Sequence, residues 1–189
     1  MLFCQKFFEV VSTTKLLGVI ISFDLKWHAH TEYTVKKARQ RLWGLRRLSK
    51  LGAGTDTLLD QYHLMVRSIL EMGAPVFSGS LSKGNIEDFE DVQKQAFKII
   101  LRGKYQDYEH SLEILNEKTL QERRNSISFK FAKKCTTHAK MKHLFKRMNN
   151  SQTRSEPTYI EPMSNSARGS NGPINYLIRL LNDNTRYTT

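Results

Sequence analysis

Apolar residues that recur every three or four positions dominate the middle of this sequence and constrain its fold more than any other feature. Such spacing places apolar side chains along one side of an α-helix. It occurs in segments that begin near Ala29, Asp56, Asn85 and Thr119, and in a shorter segment, Tyr108–Leu115. The sequence therefore predicts a mainly α protein with a bundle of about four main helices.

Residues that favour helix ends mark several boundaries. Asp56 is a residue type that accepts hydrogen bonds from free amides at a helix start, and Asn85 opens the third helix. Thr119 and Glu122 have the spacing of a capping box. Gly103 is positioned to close the third helix in a left-handed conformation. One apolar face is predicted for the second helix, made of Leu58, Leu59, Tyr62, Met65, Val66 and Ile69.

A short β-hairpin is predicted before the helices, within residues 1–27. Two runs rich in β-branched and aromatic residues, 7–11 and 16–21, are separated by residues 12–15. Alternation predicts one buried face on this hairpin, formed by Phe8, Val10, Leu17, Val19 and Ile21.

The composition changes near residue 149, which divides the chain into three parts. Ser, Asn, Thr and Arg become frequent there, and such a segment buries too little apolar surface to offset its ordering entropy. Residues 28–148 are predicted to form the helical domain. Residues 149–189 are predicted to be an irregular, flexible tail with at most one short helix, at 174–181.

Charge and cysteine content narrow the classes of function. The formal net charge of +12 indicates an anionic partner. Two cysteines are too few for a disulfide scaffold, and no signal peptide or membrane-spanning apolar run is present in the sequence. We therefore expect an intracellular protein of the nucleus or cytoplasm that does not insert into membranes.

The first helix carries the strongest binding signal. No acidic residue occurs between Glu32 and Asp56, and a helical projection groups most of the basic residues around one aromatic residue. Basic side chains neutralise phosphates, and an exposed aromatic ring stacks on bases. The alternative is a solvated charged face with the tryptophan at the rim of the core. The candidate nucleic-acid-binding residues are Lys36, Lys37, Arg39, Trp43, Arg46, Arg47 and Lys50.

A motif between the hairpin and this helix resembles a known family. Its order is Lys-x-Leu-Gly-Val followed by Leu-x-Trp-x-x-His, and its residues are Lys15, Leu17, Gly18, Val19, Leu25, Trp27 and His30. This pattern resembles the palm-to-thumb passage of LINE-type reverse transcriptases from jockey-like non-LTR retrotransposons. The segments 92–100 and 173–182 resemble later parts of the same proteins, so the likeness covers nearly all of the chain.

The resemblance implies the C-terminal, thumb-side portion of an RNA-directed DNA polymerase, which binds primer–template nucleic acid such as an RNA–DNA hybrid or RNA. The complete family enzyme uses Mg²⁺ held by aspartates. This sequence contains no Asp-Asp pair. We therefore expect no catalytic residue, no metal and no cofactor in this chain, no polymerase activity by the chain alone, and fingers and palm before Met1.

Other chemistry has weaker support in the sequence. His28 and His30 would share one face at strand spacing without a third ligand, and Cys135, His138 and His143 lack a fourth ligand for zinc. Trp27 is expected to be an apolar plug between hairpin and helix. Gly18 either allows close backbone approach within a strand or occupies a plain turn.

Two other functions fit the same sequence. One is a non-enzymatic helical interaction module whose hairpin binds a partner or a second copy of the chain by self-association. The other is a decayed retroelement reading frame without function.

Overall fold

The structure is a computed structural model that describes residues 11–148 and 159–183. Within these ranges a two-stranded antiparallel sheet precedes a helical body, which confirms the predicted mainly α fold. The elements are β1 (Thr13–Leu16), β2 (Val19–Ser22), α1 (His28–Lys50), α2 (Thr55–Tyr62), α3 (Ser68–Glu71), α4 (Ala74–Phe77), α5 (Lys83–Leu101), α6 (Tyr108–Leu115), α7 (Leu120–Thr137), α8 (Ala167–Ser170) and α9 (Pro173–Asn182). A π-helical turn, His63–Arg67, joins α2 to α3.

The hairpin turns at Leu17 and Gly18, which both have positive φ angles of 49° and 88°. A two-residue turn of this kind fixes the register, and it pairs Leu16 with Val19 and Thr13 with Ser22. The predicted strand at 7–11 and link at 12–15 were therefore wrong for the part that is described, because residues 13–15 lie in β1. Residues 7–10 lie outside the described ranges.

Only one strand of the hairpin faces the helices. Val19 in β2 is buried and Ile21 packs against the same core, whereas all four residues of β1 are exposed. Leu17, predicted on the buried face, lies in the turn and is 92% exposed. The buried side of the hairpin is therefore covered by the chain's own helices.

Helix α1 begins and ends close to the predicted positions. Val35, Ala38, Leu42 and Leu45 are all buried, and the helix packs against α5. A left-handed glycine, Gly52 with φ of 86°, follows the last turn.

The segment from α2 to α3 departs from the predicted face. Leu58, Tyr62, Val66 and Leu70, spaced by four residues, are at most 1% exposed, while Met65 is 43% exposed. A regular α-helix would rotate such a row steadily out of the core. The wider π turn compensates for that rotation, and the sequence pattern did not reveal it.

Helix caps follow the predictions in part. The capping box of Thr119 and Glu122 is confirmed, and both of its hydrogen bonds are formed. Asp56 is not an N-cap, since Gly54 precedes α2 and no side chain caps it. Ser82 caps α5 by accepting from the backbone N–H of Asn85, so Asn85 lies inside the helix.

The end of α5 also differs from the prediction. Arg102, and not Gly103, takes the positive φ, at 53°. Its guanidinium donates hydrogen bonds to the backbone oxygens of Ser49 and Ala53, both at 2.8 Å. These contacts tie the end of α5 to the end of α1 and hold the residue in a conformation that glycine would adopt at lower cost.

The apolar interior consists of two clusters of buried side chains. The larger one involves β2, α1 to α6 and the first residue of α7, Leu120. The smaller one lies between α7 and α9 and includes Phe129, Cys135 and Ile178. Helix α7 therefore contributes to both clusters and connects them.

The described part of the predicted tail packs on α7. Helix α9 spans Pro173–Asn182, close to the short helix predicted at 174–181. Asn182 accepts from the N–H of Tyr159 at 2.8 Å and donates to its carbonyl oxygen at 2.9 Å. Residues 149–158 and 184–189 lie outside the described ranges. Among the described helices none is long and apolar enough to cross a bilayer.

Replacing Gly73 by alanine should lower the free energy of unfolding by about 1–3 kcal/mol. Gly73 has a φ of 77°, and an added Cβ would lie 2.9 Å from Cγ2 of Val19. The substitution would therefore strain the backbone and push β2 from the core. Urea denaturation followed by circular dichroism measures the change.

Gly44→Ala is the matched control, because Gly44 lies within α1 and an added Cβ meets no atom within 4 Å. This variant should gain about 0.5–1 kcal/mol of stability from helix propensity. Equal effects of the two substitutions would contradict the close contact between Gly73 and Val19.

Candidate nucleic-acid interface

The exposed side of α1 forms a continuous cationic surface. The buried stripe of Val35, Ala38, Leu42 and Leu45 fixes the orientation of the helix, and the opposite side therefore points to solvent. We call this surface the basic face; its members, all exposed, are Lys36, Arg39, Trp43, Arg46, Arg47 and Lys50.

The cations of the basic face form no ion pair with a carboxylate of the described residues. Of the ion pairs found within residues 11–148 and 159–183, none involves a cation of this face. Arg39 and Arg46 lie two helical turns apart and Arg46 and Lys50 one turn apart, so the cations follow the helix axis. A row of unpaired cations is suited to the regularly spaced phosphates of a nucleic-acid backbone.

Trp43 lies among these cations and is 61% exposed. The guanidinium carbon of Arg47 lies 4.8 Å from the centre of its ring, which is a cation–π contact. With this exposure Trp43 is not a core residue at the rim, as the alternative interpretation required. Its ring is accessible for stacking on a base.

Lys37 lies apart from the basic face. It is half-buried, and about 100° of helix rotation separate it from Lys36. It lies near Tyr33, whose hydroxyl accepts a hydrogen bond from Nζ of Lys15 at 2.8 Å. This hydrogen bond, and to a smaller extent the charges of Lys15 and Lys37, lower the pKa of Tyr33. Lys37 and Lys15 thus form a second, smaller cationic group between hairpin and helix.

The motif residues of the sequence mainly join the hairpin to α1. Trp27 is 5% exposed and contacts Phe77, which fits the predicted apolar plug. His30 is 1% exposed, and its Nδ1 accepts from the backbone N–H of Ile20 at 3.3 Å. Its ring centre lies 4.8 Å from that of Phe77.

Leu17, Gly18 and Leu25 of the motif lie in turns, whereas Lys15 and Val19 lie in β1 and β2. Gly18 is a turn glycine with φ of 88°, and an added Cβ would lie 2.8 Å from Cε of the Met72 side chain and not against backbone, so the plain turn is the alternative that the structure confirms. Leu25 has φ of 52° and is 43% exposed. The motif residues therefore form the folded junction between the hairpin and α1. Lys15 is the one lysine or arginine among them.

The histidine and cysteine clusters considered for metal binding are not assembled. His28 and His30 lie in a helix rather than a strand, so His28 is exposed while His30 is buried, contrary to the shared face expected from strand spacing. Cys135 is buried, with Sγ 3.7 Å from Sδ of Met141. Across the described ranges no group of three His, Cys, Asp or Glu side chains could hold a metal ion. The described residues therefore do not assemble a magnesium site of the kind that a polymerase uses.

Sequence reasoning missed an ion-pair network around the π turn. Glu117 accepts from Nη1 of Arg67 at 2.8 Å and lies 2.5 Å from Nε2 of His63. Glu71 pairs with Nε of Arg123 at 2.5 Å, and this hydrogen bond raises the pKa of Arg123. The partners are about fifty positions apart, so no local sequence signal could have revealed the network.

The buried histidine should make the stability of the fold depend on pH. Burial lowers the pKa of His30 below its ordinary value of 6.5. Below that pH the unfolded chain binds a proton that folded His30 does not, so the free energy of unfolding falls as the pH drops. One such group contributes at most about 1.4 kcal/mol per pH unit.

Urea denaturation from about pH 7.5 to about pH 5 tests this dependence. His30→Gln keeps an acceptor for the N–H of Ile20 but cannot titrate, so its stability should fall less steeply with decreasing pH. Identical pH slopes for the variant and the original protein would contradict the proposed origin of the effect.

Among known proteins, no protein-family model, curated protein or solved structure matches this chain.

Proposed function

We propose that the chain is the thumb-side portion of a LINE-type reverse transcriptase and that its basic face binds primer–template nucleic acid. The observation that carries the binding proposal is a helix side of exposed cations with no carboxylate partner among the described residues, arranged around the exposed ring of Trp43. The family assignment rests on the sequence motif from Lys15 to His30.

Phosphate contacts account for exposed cations that have no ion-pair partner among the described residues. Each Lys or Arg that contacts a phosphate releases bound counterions, so many weak contacts together give strong binding at low salt. Arginine also contacts phosphate through two parallel hydrogen bonds, and Arg39, Arg46 and Arg47 supply half of the basic face. The expected partner is a nucleic-acid backbone, with RNA–DNA hybrid as the form that the family would bind.

The proposed role is positioning and not chemistry. Polymerisation requires metal-bound aspartates to activate the primer hydroxyl, and the sequence has no Asp-Asp pair. A rigid helix anchored by its buried stripe can hold a duplex in register, because its cations have fixed spacing. The hairpin packs beside this helix, and its Lys15 lies near Lys37 of α1.

Replacing Arg39, Arg46, Arg47 and Lys50 together by glutamine should weaken binding to an RNA–DNA hybrid by at least about tenfold near 0.1 M salt. The slope of log Kd against log salt should also flatten, by about 0.9 for each phosphate that the variant no longer neutralises. Fluorescence anisotropy over a salt series measures both quantities. All four side chains are exposed, so the fold should be retained.

The matched control replaces Lys130, Lys133, Lys134 and Lys140 by glutamine. These lysines are also exposed. Three of them lie in α7 and Lys140 follows it, so the replacement removes the same charge from another part of the surface. The affinity of this control should fall much less than that of the basic-face variant. An equal decrease in both variants would show that net charge, and not the basic face, determines binding.

A second candidate function is a helical interaction module that binds a partner or a second copy through the hairpin. Three apolar side chains near the hairpin turn and its end favour it: Leu16 is 59%, Leu17 92% and Phe23 85% exposed. This surface differs from the face expected from sequence, because Val19 and Ile21 belong to the chain's own core.

If the hairpin mediates self-association, Leu17→Asp with Phe23→Asp should shift the sedimentation coefficient to that of a monomer at high protein concentration. Deleting the hairpin is a poorer test, since Val19 would leave the core. Ile160→Asp with Met163→Asp, at two exposed positions elsewhere, is the matched control. If the original protein sediments as a monomer over the whole concentration range, the hairpin does not mediate self-association.

A further inference from the structure

A cleft opens between α1 and α5 beside the basic face. Lys36 and Arg39 of the basic face line one edge, so the cleft continues that surface. The other polar residues that line it are His28, Glu32 and Gln40 from α1 and Asn85 and Asp88 from α5. Val35, which is 6% exposed, adds an apolar wall. The cleft thus combines cations, carboxylates, amides and an apolar surface.

Asn85 is the polar group buried deepest among these side chains, at 3% exposure. Nδ1 of His28 lies 2.9 Å from its Oδ1, and a carbonyl oxygen can only accept, so the imidazole donates there. Nδ2 of Asn85 is buried without a hydrogen-bond partner among the described residues. Because this donor has almost no solvent-accessible surface, Asn85 contributes to the cleft by orienting His28 and not by contacting a ligand itself.

The mixture of charges selects the class of ligand. A metal ion is disfavoured by Lys36 and Arg39, and the carboxylates do not form a metal-binding group with His28. A simple anion is disfavoured by Glu32 and Asp88. A nucleotide fits both, since its phosphate is anionic while its base carries hydrogen-bond donors and acceptors on an apolar ring.

Building on the proposed function, we propose that this cleft binds one unpaired nucleotide of the nucleic acid held on the basic face, with preference for a base that carries an exocyclic amino group, cytosine above all. Lys36 and Arg39 contact its phosphate. Glu32 and Asp88 accept from the amino group. Carboxylate recognition of the cytosine amino group is a favourable pairing of this kind.

Single-stranded oligo-C and oligo-U of equal length test the proposal, because cytosine and uracil differ chiefly in an amino group against a carbonyl at the same ring position. Anisotropy titrations at neutral pH should give at least about fivefold tighter binding of oligo-C. A ratio near one for the original protein would overturn the proposal.

The diagnostic variant combines Glu32→Gln and Asp88→Asn. Removing two negative charges beside the basic face should strengthen binding of oligo-U, while the preference for oligo-C should fall to about one or below. Both side chains are exposed, and circular dichroism verifies the fold. An increase in affinity for both oligonucleotides with an unchanged ratio would overturn base recognition by these carboxylates.

Asp60→Asn with Glu109→Gln is the control of equal charge, at exposed positions outside the cleft. It should leave the ratio at the value of the original protein, and a lowered ratio would count against the cleft.

The basic-face variant separates the two proposals. If the basic face binds phosphates, this variant should lose affinity for both oligonucleotides by the same factor. The carboxylate variant should instead change the ratio of the two affinities if the cleft recognises the base. If the original protein binds neither oligonucleotide, the cleft proposal fails, and the titration with the RNA–DNA hybrid decides the proposed function separately.

Discussion

A chain of aromatic contacts connects the elements of the larger core. The rings of Trp27 and His30 pack on Phe77, and Phe77 stacks on Phe89 with ring centres 5.9 Å apart. The guanidinium of Arg124 lies 4.9 Å from the centre of the Phe89 ring. This series joins the link before α1, α1, α4, α5 and α7, and the hydrogen bond from the N–H of Ile20 to His30 attaches the hairpin to it. Because flat rings and a planar guanidinium pack in few relative orientations, it restricts how these elements can be arranged.

The orientation of α1 follows from that arrangement and creates the candidate interface. Once its buried stripe packs against α5, the remaining circumference of a helix must face solvent. Cations on that side repel each other only weakly in water, so their cost to folding is small. The same cations form no ion pair within the described part of the chain, so they are available to phosphates. The cleft lies between these two helices beside Asn85, and it therefore depends on the same packing.

Several differences between prediction and structure have one origin, the contacts between distant residues. The capping box at Thr119 was predictable because its two residues are three positions apart. Glu90 also caps α7, accepting from the N–H groups of Leu120 and Gln121 at 3.2 and 2.8 Å, and nothing near residue 120 indicates this. The positive φ of Arg102 is likewise held by contacts with Ser49 and Ala53. Local patterns had instead predicted Asp56 as an N-cap and Gly103 as the left-handed residue at the end of α5.

The sequence by itself determined the helical class, the bounds of α1 and α6 and which side of α1 is apolar, because these depend on periodicity within a few turns. It also determined the cationic character of the opposite side. Only the tertiary structure decided that the hairpin turns at Leu17, that a π turn keeps Val66 and Leu70 in the core, and that His28 meets Asn85 across 57 positions. Such contacts minimise the free energy of the whole packed chain, and no short segment contains the information that specifies them.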